Sequence, residues 1–255
     1  MPVEYVKSGH LVTITLDRPA KLNAIDEKMQ AALAAAWVRY EQDEEAWLAI
    51  LTANGRAFCA GADRSWFERI ARGEDGLGLF LQGINRDPYW SGAISKPTIA
   101  AVNGMTIGAG LDLVLRADLR VAAEDSVFQL REVDLGGVLV LWDNLPYAVA
   151  AEMTAGAELS AQRAHAVGMI NRLASPGAAL DCARAWAEEL LAKPPLALRQ
   201  ALQILRDIRN ANSAPPTRRL RELTSDASRR LAASAEWQAS LTSWLQSGRP
   251  GSKGD

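Results

Sequence analysis

Short apolar runs that end in asparagine- or glycine-bearing turns, separated by stretches of helical periodicity, restrict the possible folds most. Residues 47–51 (WLAIL) end at Ala53-Asn54-Gly55, and residues 98–102 (TIAAV) end at Asn103-Gly104. A helical stretch from about residue 109 to 116 then leads into another short run, 119–122 (LRVA). Runs of this length suit strands, and their alternation with helices predicts an α/β protein with a largely parallel sheet. An earlier strand is expected at 11–16 (LVTITL), closed by Asp17-Arg18-Pro19. Asp26 is placed to N-cap a helix carrying Met29, Leu33, Ala36, Trp37 and Tyr40 on one face.

The last third changes character. Ser175-Pro176 is expected to open a helix with Leu180, Ala183, Ala187, Leu190 and Leu191 on one side. Pro194-Pro195 opens another with Leu198, Leu202 and Leu205. Beyond Pro215-Pro216 the apolar spacing continues through Leu220, Leu223, Ala227 and Leu231 to Trp237, Leu241 and Trp244. The division expected is an α/β core over 1–194 and a helical region over 195–255, frayed from Ser247.

Composition narrows the function classes. The 255 residues carry 28 Lys+Arg against 30 Asp+Glu, so the net charge of -2 argues against binding a nucleic-acid backbone. Cys59 and Cys182 lack metal-ligand spacing, so neither a disulfide framework nor a metal site is expected. The first residues lack the apolar stretch of a signal peptide, and no run is long enough to span a bilayer. A cytoplasmic protein without a membrane partner is the expectation.

Several motifs carry little. Gly108-Ala109-Gly110 lacks the third glycine of a dinucleotide loop, since Leu113 stands there. His10, assigned to an N-terminal strand, and His165, assigned to a late helix, are too few for a histidine-based triad or metal site. The eight tryptophans read as packing. Arg218, Arg219, Arg221, Arg229 and Arg230 read as a solvated helix face, with a phosphate contact as the functional alternative.

Two segments together carry chemistry. Residues 57–63 (AFCAGAD) follow a strand and its turn, and their small side chains let the backbone approach a ligand. Residues 101–112 (AVNGMTIGAGLD) end a strand and open a helix, whose first amides lack intrahelical partners and sit at the positive end of the dipole.

With Arg18-Pro19 and Leu22-Asn23-Ala24, these segments resemble the crotonase (enoyl-CoA hydratase/isomerase) superfamily, in order from about residue 3 to 175. The resemblance implies a spiral of repeated ββα units with a helical C-terminal trimerisation module, hence a homotrimer or homohexamer. It implies an oxyanion hole formed by the amides of Ala62 and Ala109, with Ala60, Gly61, Asp63, Gly108 and Gly110 binding the substrate around it. Alanine replaces the family's usual glycine at 109, which keeps the N–H and adds a methyl group. Of the family's two catalytic glutamates, the resemblance places one at Glu132, the main acid/base, and the other at Asp112, where it would orient or activate water. The aspartate retreats about 1.5 Å from a glutamate's reach.

Plainer readings are a helix first-turn acid for Asp112 and a solvated loop acid for Glu132. Arg131 stands where the family commonly has proline, and the following loop (136–144, GGVLVLWDN) is apolar where glycine is usual. Asp143 reads as a helix cap before Pro146 rather than a third acid. The activity implied is addition of water to a 2-enoyl-CoA through a thioester enolate. Coenzyme A is then a handle on the substrate, and no cofactor or metal is called for. The alternatives are double-bond isomerisation by Glu132 alone and a non-catalytic acyl-CoA-binding homologue.

Overall fold

The computed structural model describes residues 1–135, 137–139, 145–212 and 235–247. Asp143, most of the loop around it, and the arginines at 218, 219, 221, 229 and 230 lie outside the described residues.

Two sheets form the frame. The larger has the order β1 (Val3–Ser8), β2 (Leu11–Leu16), β3 (Leu48–Ala53), β5 (Thr98–Val102), β7 (Leu119–Ala123), β10 (Arg172–Ala174). All its pairings are parallel except the β1–β2 hairpin. The smaller has the order β4 (Ala57–Cys59), β6 (Met105–Ile107), β8 (Val127–Gln129), β9 (Leu159–Ser160), with only β9 antiparallel. Successive strand pairs β3–β4, β5–β6 and β7–β8 each place one strand in the large sheet and the next in the small one. The chain is therefore a spiral of repeating units, and helix α5 (Ala109–Arg116) completes the second.

The continuous apolar runs follow from burial on both faces. In β3, Leu48 and Ile50 pack with Ile99, Val121 and helix α8 (Ala179–Leu191), while Ala49 and Leu51 join the core on the opposite face. That second core holds Met29, Leu33, Trp37 and Tyr40 of helix α1 (Glu27–Gln42), and the Asp26 carboxylate caps the helix by accepting from the Met29 amide at 2.8 Å.

Two sequence expectations are corrected. The helix expected from Ser175-Pro176 begins at Ala179, with no side-chain cap. Ser175 instead closes a turn, accepting at its carbonyl from the Ala178 amide, and Gly177 within it has φ +80°. His10 lies in the turn between β1 and β2, stacked on Trp47 at 3.4 Å, with Nδ1 against the Glu45 carbonyl. His165 lies in helix α7 (Ala161–Ala166), with Nδ1 against the Ile170 carbonyl.

Between β4 and β5 come helices α2 (Arg64–Ala71), α3 (Gly76–Arg86) and α4 (Pro88–Ser91). Helix α6 (Tyr147–Thr154) precedes β9. Helix α9 (Pro195–Asn212) is tied to the core through Arg206, whose guanidinium pairs with buried Asp118 at 2.7 Å and donates to the Ile94 carbonyl. Helix α10 (Ala235–Ser247) packs on α2 and on the 3-10 turn Val133–Leu135. Among the described residues no helix is long and apolar enough to cross a membrane.

Candidate active site

The small sheet assembles the site. Strands β4, β6 and β8 are parallel neighbours, so the segments leaving them emerge side by side at the carboxyl ends of the strands, where open α/β sheets bind ligands. Residues 60–63 leave β4, Gly108 and Ala109 leave β6, and residues 130–132 leave β8. The Gly108 amide donates to the Gln129 carbonyl at 3.0 Å, which locks the second segment to the third.

The first segment is held by the chain near residue 22. Ala60 donates its amide to the Leu22 carbonyl at 3.0 Å, and Ile25 and Ala62 form a parallel bridge. Its two bonds run from the Ile25 amide to the Gly61 carbonyl and from the Asp63 amide to the Ile25 carbonyl, so the Ala62 N–H is left out of the bridge. Asn23 makes this docking possible. It is fully buried at φ +54°, a conformation Asn tolerates better than most residues. Its Nδ2 donates to the carbonyls of Asn54 and Ala57, and its Oδ1 accepts from the Arg18 amide at 2.7 Å. The buried Cys59 thiol donates to the Asn23 carbonyl, and burial pushes its pKa up to about 12. It is a structural group.

The Asp63 carboxylate is committed to the scaffold. It caps α2 by accepting from the Ser65 amide at 3.0 Å and pairs with Arg18 at 3.2 Å. Burial would raise its pKa, but the bonds from Ser65 and the charge of Arg18 outweigh burial and hold it below the ordinary value. Arg18 also pairs with Asp26 at 3.0 Å and donates to the Ala24 carbonyl.

The second segment needs its glycines. Gly108 has φ +54°, and a Cβ there would overlap Oε1 of Glu132. A Cβ on Gly61, at φ +85°, would stand 2.9 Å from the Ile107 carbonyl oxygen and 3.5 Å from the Ala109 nitrogen, so the two loops lie backbone to backbone. Gly110 lies as close to Cys59. Ala109 is the first residue of α5, so its amide has no intrahelical acceptor. Among the described residues, neither the Ala62 nor the Ala109 amide donates to a protein acceptor. At the far end of α5, Arg120 donates to the carbonyls of Val114 and Leu115 and Tyr89 donates to that of Leu113, fixing the helix.

Glu132 lies against this glycine. Its Oε2 is buried without a hydrogen-bond partner, a costly state for a carboxylate. Burial dominates and raises its pKa to about 7. The nearby amides of Glu132 and Arg131 oppose the shift, and the charge of Asp134 reinforces it. Such a carboxyl exchanges protons near neutrality. Asp112 lies one turn into α5, half-buried, with Oδ1 3.1 Å from Nε of Arg116. The expectation for Asp112 did not include this ion pair, although the i,i+4 spacing is visible in the sequence. The support given by Arg18 and Asn23, and the charge of Asp134, were likewise missing from the candidate list.

Residues 7–254 match the family model described as enoyl-CoA hydratase/isomerase. A carnitinyl-CoA dehydratase of Salmonella enteritidis is 38% identical over 218 residues, covering 82% of this chain and 80% of the relative. Among solved structures, an enoyl-CoA hydratase/isomerase from Mycobacterium paratuberculosis superposes with a TM-score of 0.84 at 25% identity, covering 95% of this chain and 98% of that one. A carnitinyl-CoA dehydratase from Mycobacterium avium gives a TM-score of 0.75 at 30% identity, covering 93% and 94%. A spiral of strand pairs, a match running almost end to end and relatives at this identity place the chain in the enoyl-CoA hydratase/isomerase (crotonase) family of enzymes.

Proposed function

We propose that the chain is an acyl-CoA hydratase that adds water across the double bond of a 2-enoyl-CoA and, in reverse, dehydrates a 3-hydroxyacyl-CoA. The observation that carries this reading is the grouping of two amides without protein acceptors, on adjoining segments, with a buried carboxyl at Glu132 poised near neutrality. The dehydratase names of the relatives favour water chemistry over other reactions of a thioester enolate.

In this reading the thioester oxygen accepts from the amides of Ala62 and Ala109. Water, oriented by Asp112, adds its oxygen to C3 as its proton passes to the Asp112 carboxylate, from which it returns through solvent to reprotonate Glu132 after the cycle. The π electrons move onto the thioester oxygen, and the enolate then takes a proton at C2 from Glu132. Hydroxyl and hydrogen together account for the one water added. Backbone donors aimed at developing charge act strongly; losing one typically costs about 2.7–4 kcal/mol. Ala60, Gly61, Gly108 and Gly110 supply the close backbone walls, and Asp63 acts by holding its loop. Coenzyme A is a handle on the substrate, and the chemistry needs no metal or redox cofactor.

The two cysteines are free, which suits a reducing, cytoplasmic setting. Leu196, Ile204, Leu205 and Ile208 of α9 are exposed, which supports assembly into a homotrimer or homohexamer.

A second reading is favoured by the Asp112–Arg116 pair. With Asp112 engaged, Glu132 acts alone and shuttles a proton between C2 and C4 of a 3-enoyl-CoA. Mass spectrometry after incubation with a panel of CoA thioesters separates the two. Gain or loss of one water supports the hydratase, whereas mass-neutral conversion of 3-enoyl-CoA alone overturns it in favour of the isomerase.

A further inference from the structure

We propose that Arg131 and Asp134 are positioning residues: their ion pair closes the turn that carries Glu132 and fixes where its carboxyl stands against Gly108. The inference rests on Glu132 being the acid/base of the reaction proposed above.

The geometry is local. Nε of Arg131 lies 3.0 Å from Oδ2 of Asp134, and the Asp134 amide donates to the Arg131 carbonyl at 3.1 Å. Main chain and side chain thus bind the same two residues, with Glu132 between them. The Glu132 carbonyl accepts from the Gly137 amide at 2.7 Å, closing the turn on its other side. Before the turn, Gln129 donates from Nε2 to the Gly156 carbonyl at 3.1 Å. On the Glu132 carboxyl, Oε2 lacks a hydrogen-bond partner, and the hydrogen bonds that oppose its raised pKa come from the main-chain amides of Glu132 and Arg131. Its position is therefore set by the backbone beneath it and by the Gly108 surface in front.

Among the described residues, the charges near the turn are these. Asp134 is the acid whose field reaches Glu132, and it acts in the same direction as burial. On α5, Asp112 and Arg116 are bound to each other. Helix α10, which packs on the turn, has Trp237 and Leu241 buried. Arg131 acts on this turn through its guanidinium, which pairs with Asp134, and through its amide, which lies near the Glu132 carboxyl. An exposed ion pair contributes little stability, about 0–1 kcal/mol. Placement of a reacting group is far more sensitive, since a shift of about 1 Å can cost about a hundredfold in rate.

The test follows the Glu132 carboxyl directly by carbon-13 NMR of protein labelled at the glutamate carboxyls, with the resonance identified by its loss in Glu132→Gln. Arg131→Ala frees the charge of Asp134 and is expected to move the titration upward from about 7. Asp134→Asn, of nearly unchanged size, is expected to move it downward. Both are expected to lower kcat roughly 5–10-fold with KM little changed, by displacement of the base. Arg131→Lys should recover most of the loss. Opposite movements of the titration, with rescue by lysine, support the inference. Unchanged titration and kcat in both variants, with only a lower melting temperature, overturn it, as do shifts in the same direction. If the wild-type chain converts no CoA thioester, the reaction proposed above falls, while the titration of the two variants still decides this inference.

Discussion

Glu132 combines demands that oppose each other. Its carboxyl is useful because burial raises its pKa to about 7 from an ordinary 4.5, and the same burial destabilises the folded chain once the group ionises. Between those values the native state holds more protons than the unfolded one, so this contribution to stability is full below about 4.5, declines as the pH rises and is lost above 7. Glu132→Gln is therefore expected to abolish turnover while stabilising the protein above neutral pH by on the order of 3 kcal/mol, measured by urea unfolding at several pH values. The rate should show the same group. Hydration needs the protonated acid and should fall as the pH passes above about 7, whereas dehydration or isomerisation needs the carboxylate and should fall below it. Initial rates in both directions across that range check this. Gly108→Ala should reduce kcat about a hundredfold in the same assay, because the added methyl overlaps Oε1 of Glu132 and the backbone is held at positive φ.

At the scale of elements, strands buried on both faces were legible and the short ones were not. Residues 11–16 and 98–102 form strands over those same ranges, the first because Val12, Ile14 and Leu16 alternate with threonines and the second because it is an apolar run buried throughout in the large sheet. β4, β6 and β8 are three residues long, too short to show a period. They are defined by pairing with each other, which depends on the spiral having already formed. The segments they launch were nevertheless readable, because close backbone approach demands small residues at Gly61, Gly108 and Gly110. The supports were harder to read. Ser175 has the residue type of a cap but closes a turn, while Asp63 and Asp87 cap helices α2 and α4, which no strong apolar periodicity announced. The role of Asn23 depends on carbonyls at 54 and 57, more than 30 positions away. Asn23→Ala strands those acceptors and is expected to cost about 2–4 kcal/mol in thermal unfolding, with the substrate-side loop affected first.

Across the whole molecule, Arg206 is one anchor of the helical end. Arg206 joins α9 to buried Asp118, and removing one partner of such a pair leaves a charge without its complement. Arg206→Met should cost about 3–5 kcal/mol, read from urea denaturation. The exposed apolar side chains of α9 belong to the same scale. Leu205→Glu combined with Ile208→Glu should lower the particle mass seen by light scattering if that face joins subunits, and an unchanged mass would place the contact elsewhere.

The amides of Ala62 and Ala109 belong to the main chain, the first held by an isolated strand bridge over the buried Asn23 and the second by a helix end. Only proline removes such a donor, so nearly every single-codon change there leaves the N–H in place. In the reaction proposed above, side chains around it are then free to diverge toward new chemistries, and a lineage built on this scaffold can change its reaction without first losing the proposed means of stabilising an anion.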